Sequence, residues 1–494
     1  MEQLSRQRIR SEQIYPERVI QFGEGNFLRG FIDWMLQRMN NKGLFNGSVV
    51  AIQPTPSGKV LPKLEEQDYL YTVVLRGVEQ GSTIDQEEII SSIHRGINPY
   101  TNWAAVLALA ENPSLRYIFS NTTEAGLTYK KEVYREGIAP MSYPGKLAVL
   151  LYARYRLFSG SLDAGFHIFP CELVEENGAV LQSLVLQASH DFRFPEAFRL
   201  WVKTANVFYN TLVDRIVTGY PDESIASFQE RLQYRDALLT VGEPYHLFVI
   251  EGQQNLEHEL PFQEAGLNVH WAAVKPFRDL KVRILNGLHT VMYAMGYLLG
   301  LETVKEAMED PLLEPLIHHC LYEEILPVLP MEDEEKETYA KSVVQRFVNP
   351  FNHHRLADLG LNGLSKFKVR VLPTLLDYVE QKKKVPDVLV FALVTNLLYF
   401  RVVHREGEAM YGQTDKSIYR LKESEAWLEF LEATWKMYDS SQHSLAHMVA
   451  TILGNEALWG QNLMQIPQLH QAVLRDLTRL IEDGIKKTLK NDLF

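Results

Sequence analysis

A β-prone run at residues 18–22 leads directly into Gly23-Glu24-Gly25, and a helical spacing of apolar positions follows over residues 26–39. A second apolar run, residues 48–52, comes where the next strand of a βαβ unit is expected. This order of strand, glycine turn and helix is what a dinucleotide site needs. The first glycine turns the chain sharply, the second lets backbone approach a pyrophosphate, and the helix N-terminus offers N–H donors and a positive dipole end. The spacing departs from the usual fingerprint, because Leu28 stands where a third glycine is expected, with Gly30 available for a close-packing role. At the end of the second strand an acidic residue for the ribose hydroxyls is expected, and Gln53-Pro54 occurs instead, so charge does not decide between NAD and NADP.

Further strands are expected at residues 69–75, 89–93, 115–119, 165–169 and 245–250, with helical patterns such as 143–155 and 179–189 between them. Strands alternating with helices imply a mostly parallel sheet covered on both faces. From about Pro276 strand-like runs nearly vanish and helical patterns dominate to Phe494, the last of them, 468–489, with one apolar face. At 494 residues two domains are expected, and the boundary falls at 1–275 and 276–494.

The charge balance excludes whole classes of function. With 62 acidic against 50 basic side chains the net charge is −12, and no basic block is long enough to track a phosphate backbone, so nucleic acid is not an expected partner. The run Lys382 to Lys384 before Pro386 reads as a solvated loop. Residues 1–13 are polar and lack the apolar core of a secretion signal, and the longest apolar stretch, 388–400, is too short for a bilayer and reads as a buried helix. Only Cys171 and Cys320 occur, so no disulfide framework is expected, and the cytoplasm is the expected compartment.

The segment Lys281-Val-Arg-Ile-Leu-Asn286-Gly-Leu-His289 carries the most chemistry. At about 100° per residue, Asn286 and His289 lie about 140° and 80° round from Lys281, on one broad helix face. A desolvated lysine can act as general base in alcohol oxidation or acid in ketone reduction. An asparagine amide can donate to an oxygen becoming alkoxide-like, and a histidine can orient a substrate hydroxyl, with no metal needed. A surface lysine with an interhelical asparagine and a satisfied histidine would show the same spacing.

With both motifs in hand, the sequence resembles the polyol-specific long-chain dehydrogenase family, typified by mannitol dehydrogenases, over nearly the whole chain. The Gly-x-Gly-x-Phe-x-Arg start is Gly23-Glu-Gly25-Asn26-Phe27-Leu-Arg29, and the Lys-x4-Asn-x2-His helix is Lys281 to His289. Residues 119–126, 212–221 and 346–350 carry the resemblance further. It implies an α/β N-terminal domain of Rossmann type that binds NAD, a mainly α-helical C-terminal domain, and a cleft between them. It also implies zinc-independent hydride transfer, with Lys281 as general acid/base, Asn286 as oxyanion donor and His289 orienting the substrate. The implied cofactor contacts are Ile20, Gly23, Gly25, Asn26, Phe27, Arg29, Asn121, Thr122 and Glu124. Asp214-Arg215 resembles a family element that holds substrate hydroxyls.

Within the family the resemblance is to members that reduce a hexuronate-derived keto acid. A small sugar acid needs cations for its carboxylate, and Arg346, Lys366 and Arg370 are the candidates, with His354 as a further substrate contact. A member acting on another hexonate or a simple hexitol, and a non-catalytic NAD-binding sensor, are the rival readings. Mannitol dehydrogenases carry a second oxyanion asparagine in a Cys-Asp-Asn segment, where this chain has Cys171-Glu172-Leu173. Either Asn177 takes that role or the site relies on Asn286 alone. His443-x3-His447 has metal-compatible spacing without the glutamate of a metalloprotease or a third ligand, and His318-His319-Cys320 and His353-His354 suit packing better than chelation.

Overall fold

The structure, a computed structural model, describes residues 1–10, 14–79 and 81–490. The end of the polar start, residues 11–13, and the end of the terminal helical stretch, 491–494, lie outside the described residues. The chain forms two compact units, Met1–Gly77 with Thr83–Phe277, and Val78–Ser82 with Arg278–Phe494.

The first unit is built on six parallel strands, β1 (Glu17–Phe22), β2 (Ser48–Ile52), β3 (Ile93–Ile97), β4 (Tyr117–Ser120), β5 (His167–Pro170) and β6 (Val207–Phe208). Their order in the sheet is β3-β2-β1-β4-β5-β6, so the direction of winding reverses between β1 and β4. Alternate side chains explain why the strands read as nearly continuous apolar runs. Val19, Val49, Tyr117 and Phe169 enter one core with α1 (Ile32–Asn41), while Ile20, Val50, Ile118 and Ile168 enter another with α2 (Tyr143–Leu157) and α3 (Asn177–Asp191). A parallel sheet covered on both faces has no solvated side on which polar residues would alternate.

Two sequence expectations are corrected here. The helix expected over 26–39 is interrupted at Phe31 (φ −130°, ψ −79°), which separates a short turn, Asn26–Arg29, from α1. The apolar run at 89–93 is not one strand but the end of Ser82–Ile90 and the start of β3, in different sheets. Between them Ser91 N–H donates to Gln37 Oε1 at 2.8 Å and Ser92 Oγ to Asp33 O at 2.9 Å, so the link between the two strands is held to α1.

The second unit is mainly helical, with one short antiparallel sheet of His404–Glu406, Ala409–Gln413 and Ile418–Arg420. Its helices include α4 (Gly287–Leu299), α5 (Asp333–Phe347), α6 (Gly363–Arg370), α7 (Asp387–Tyr399) and α8 (Leu469–Lys490), the last broken at Gly484. Eleven of the thirteen residues of α7 are buried, as an all-round apolar helix requires. Tyr293 of α4 donates to Asn396 of α7, satisfying a polar pair in this core. No helix among the described residues is long and apolar enough to cross a membrane.

The start of α7 is capped from a distance. Glu324, 1% exposed, accepts from Val388 N–H at 2.8 Å and Leu389 N–H at 2.9 Å, so a carboxylate meets the positive end of the helix. Replacing it by alanine leaves two buried donors without an acceptor. Glu324→Ala is expected to lower the unfolding free energy by about 1–3 kcal/mol, read by urea denaturation; an unchanged midpoint would refute the cap.

Candidate functional site

In the first unit the candidate site forms where the carboxyl ends of β1 and β4 diverge, the crevice in which open α/β sheets hold ligands. Gly23 has φ +118°, and a Cβ there would lie 3.0 Å from Asn121 O, so the turn accepts only glycine. Gly25 and Asn26 are exposed, and nothing lies within 4 Å of a Cβ built on Gly25, which leaves its backbone open to a bulky anion. Gly30 has the close-packing role: a Cβ there would sit 3.2 Å from Val217 Cγ1. Phe27 is half-buried and stacks on Phe31 at 4.9 Å.

Two of the expected cofactor residues are buried around the turn. Ile20 is fully buried, its backbone paired with β2 and β4, so its side chain belongs to the core and the residue serves by fixing the strand that ends in the turn. Arg29 is 2% exposed; Nη1 donates to Glu24 O at 2.6 Å, and Nη2 to Asn26 Oδ1 at 2.7 Å and Thr240 Oγ1 at 3.0 Å. It therefore ties the glycine turn to the neighbouring strand Thr240–Gly242 instead of reaching outward. Burial pushes the Glu24 carboxyl up to about 7.

The loop after β4 faces the turn. Asn121 Nδ2 donates to Cys171 O at 2.7 Å, Thr122 is held by Glu172, and Glu124 is exposed in the short helical turn that follows. At the end of β2, Gln53 is buried and donates to Thr55 O at 2.7 Å, so no carboxylate stands at that position.

Asp214 and Arg215 also lie in this unit and are buried. Arg215 donates to Glu243 O at 2.8 Å and Gly30 O at 2.9 Å and lies 4.1 Å over the Trp34 ring. Of the two alternatives for the second oxyanion donor, Asn177 has its amide occupied within the fold. Its amide, 1% exposed, donates to Pro170 O, Glu172 O and Thr211 and accepts from Thr211 N–H, so no donor is left for an oxyanion. Leu173 is 66% exposed.

In the second unit, Lys281–Asn286 adopt a widened π-helical turn before α4, not the straight α-helix assumed from spacing. Such turns recur at functional sites because they re-aim side chains within a helix. Arg283 secures it, with Nη2 2.6 Å from Asp377 Oδ2. Lys281 and Asn286 are half-buried, and His289, one turn on, is 7% exposed. The His289 ring packs against Phe347 at 4.6 Å and edge-on to His354 at 4.7 Å.

Four expected substrate residues converge here. Burial first, and then the charges of His354, Arg346, Arg370 and Lys366, hold His289 well below its ordinary value, so its imidazole is neutral at neutral pH. Arg346, at the end of α5, is buried; Lys366 and Arg370 share a face of α6 at i and i+4. Lys366 is lowered by burial and by Arg370, Arg370 by burial, and His354 by burial and Lys366 against the opposing pull of Asp358. Lys366 and Arg370 are thus two partly buried like charges, which an anion would neutralise. Among the described residues, no three His, Cys, Asp or Glu side chains form a group that would hold a metal ion.

Residues 17–264 match the family model of the mannitol dehydrogenase Rossmann domain, and residues 273–481 that of the mannitol dehydrogenase C-terminal domain. The chain belongs to the mannitol dehydrogenase family. Among its curated relatives, one from Halalkalibacterium halodurans named altronate oxidoreductase is 47% identical over 98% of this chain and 95% of its own length. Another of that name, from Yersinia enterocolitica, is 40% identical over 96% of each chain. Two solved structures share the fold: a D-sorbitol dehydrogenase in substrate-free form (TM-score 0.78, 22% identity, 96% and 95% covered) and a Pseudomonas fluorescens mannitol 2-dehydrogenase in ternary complex with NAD and D-mannitol (TM-score 0.65, 19% identity, 99% of each covered).

The open space at Gly25 separates a ligand role from a folding role. Gly25→Val is expected to keep the wild-type melting temperature and to weaken NADH binding about tenfold or more, by fluorescence titration. Unaltered NADH affinity would show that the turn holds no pyrophosphate.

Proposed function

We propose that the protein is an NAD-dependent oxidoreductase that interconverts D-tagaturonate and D-altronate, with residues 1–275 as the nucleotide domain and 276–494 as the catalytic domain. The reading rests above all on the cationic pair of Lys366 and Arg370 near a neutral His289, eight residues after Lys281. A hexitol would give those charges nothing to neutralise, whereas a hexonate presents a carboxylate. The names of the relatives supply the particular sugar acid.

When bound, the dinucleotide supplies or accepts the hydride. In the reductive direction Lys281 donates a proton to the keto oxygen as the carbon receives the hydride, and in oxidation it takes that proton back. Asn286 donates to the same oxygen while charge builds on it. His289, neutral and buried, orients a substrate hydroxyl by hydrogen bonding instead of carrying a proton. Arg346, Lys366, Arg370 and His354 hold the carboxylate end, which fixes the distance from carboxylate to reacting carbon and so selects the substrate. Gly23, Gly25, Asn26, Phe27 and the loop of Asn121, Thr122 and Glu124 receive the dinucleotide. The chemistry and the two buried cysteines suit the cytoplasm, and the partner is a small sugar acid.

The wild-type protein is expected to oxidise NADH faster with D-tagaturonate than with D-fructuronate or D-fructose, equally well in the presence of a chelator. Lys281→Ala should lower kcat about 100-fold or more while NADH binding persists. Arg370→Ala should raise KM for the acid about tenfold or more with NADH affinity unchanged. Equal turnover of fructose would overturn the sugar-acid assignment, and a wild type without turnover on any of the three would leave a nucleotide-binding sensor.

A further inference from the structure

The segment that in mannitol dehydrogenases supplies an oxyanion asparagine has a different use in this chain. Leu173 points into solvent and Asn177 is spent on the backbone of residues 170, 172 and 211, which leaves Glu172 as the functional group of the segment. Its carboxylate is 2% exposed and sits just after β5. Oε1 accepts from Thr122 N–H at 2.9 Å and Thr122 Oγ at 3.0 Å, and Oε2 accepts from Ser120 Oγ at 3.1 Å. All three donors belong to the end of β4 and the loop that leaves it. A carboxylate is costly to bury, and an apolar side chain would fill the same space without that cost. Burial pushes the Glu172 carboxyl up, and the bonds from Thr122 and Ser120 oppose that shift.

The held loop has little freedom of its own to settle in this shape. Thr123, next in the chain, has φ +65° and ψ +169°, a backbone region that a threonine occupies only when its surroundings impose it. Asn121 O stands 3.0 Å from where a Cβ on Gly23 would be, so the loop and the glycine turn are in contact, and a displaced loop would displace the turn. This loop borders the crevice at the switch point of the sheet, on the side of its second mononucleotide half.

We propose that Glu172 is a positioning residue for the nicotinamide half of the dinucleotide: from the end of β5 it fixes Ser120 and Thr122 so that the loop after β4 holds the ring in place for hydride transfer. The proposal rests on the dehydrogenase reading above. Glu172 touches neither cofactor nor substrate, and its effect passes through Thr122.

The test is NADH titration by fluorescence together with the primary isotope effect on turnover, using NADH deuterated at the transferred position. Glu172→Ala is expected to raise the NADH Kd about tenfold or more and to enlarge the isotope effect, because hydride transfer from a loosely held ring becomes slower than the other steps. Glu172→Gln should recover most of both, since its amide oxygen still accepts from Thr122 and its NH2 donates to Ser120 Oγ. A purely structural role would lower the melting temperature and leave both readouts alone, and that result with folded Glu172→Ala overturns the proposal. Should Glu172→Ala not fold, Ser120→Ala, which removes one of the three bonds from inside the strand, decides: a smaller rise in both readouts supports the proposal and no change overturns it. Binding is measured without substrate, so wild-type failure to turn over the keto acids would reject the dehydrogenase reading while the Kd comparison still stands.

Discussion

A charged guanidinium enclosed by protein must find acceptors, and the glycine turn of the first unit is organised by that requirement. Arg29 is held beneath the turn with Tyr71, Asp236, Asp33 and Glu24 offsetting the cost of burying its charge. Its donors fix the carbonyl of Glu24 and the side chain of Asn26, while Gln21 donates to Gly23 O at 3.0 Å and to Asp33 Oδ2 at 3.2 Å. The groups that shape the turn are therefore bonded from below, and Gly25 is left open above. Arg215 acts alike from the other side, binding Gly30 O, so two buried arginines hold the turn and the helix after it.

The opposite face of the crevice relies on a buried carboxylate. Glu172 gathers Ser120 and Thr122 as Arg29 gathers Glu24 and Asn26. A loop and a turn with positive φ values at Thr123 and Gly23 persist because charge-assisted hydrogen bonds over-determine them. In the second unit it is a histidine that yields its charge: His289 is kept neutral first by burial and then by its basic neighbours, Lys366 and Arg370 among them.

Much of this was legible in the chain. The strand, turn and helix around Gly23, the βαβ rhythm and the change of character near residue 276 follow from apolar periodicity, because both faces of the sheet are covered and its strands stay apolar throughout. The resemblance directed attention to Lys281, Asn286 and His289 and to the basic residues after them, and the fold gathers Arg346, His354, Lys366 and Arg370 about His289. Less visible was the direction in which a polar side chain turns. Arg29 and Arg215 bond to backbone carbonyls around the turn, Asn177 is a backbone clamp, and nothing in the sequence marked the bonds of Glu172. A period-based reading also assumes a uniform helix, and so it passed over the π turn at Lys281 and the break at Phe31.

The sequence by itself determined the class of fold, since hydrophobic period and glycine placement are local properties that each segment carries wherever it lies. It also determined which residue types were available for hydride and proton transfer. Only the tertiary structure decided which of them are buried and bonded within the fold and which stand open, because burial and hydrogen-bond partners come from segments far apart in the chain: Thr240 for Arg29, Glu172 for Thr122, α5 and α6 for His289. A side chain's charge is written in the sequence; the groups that stabilise or oppose that charge are set by the packing around it.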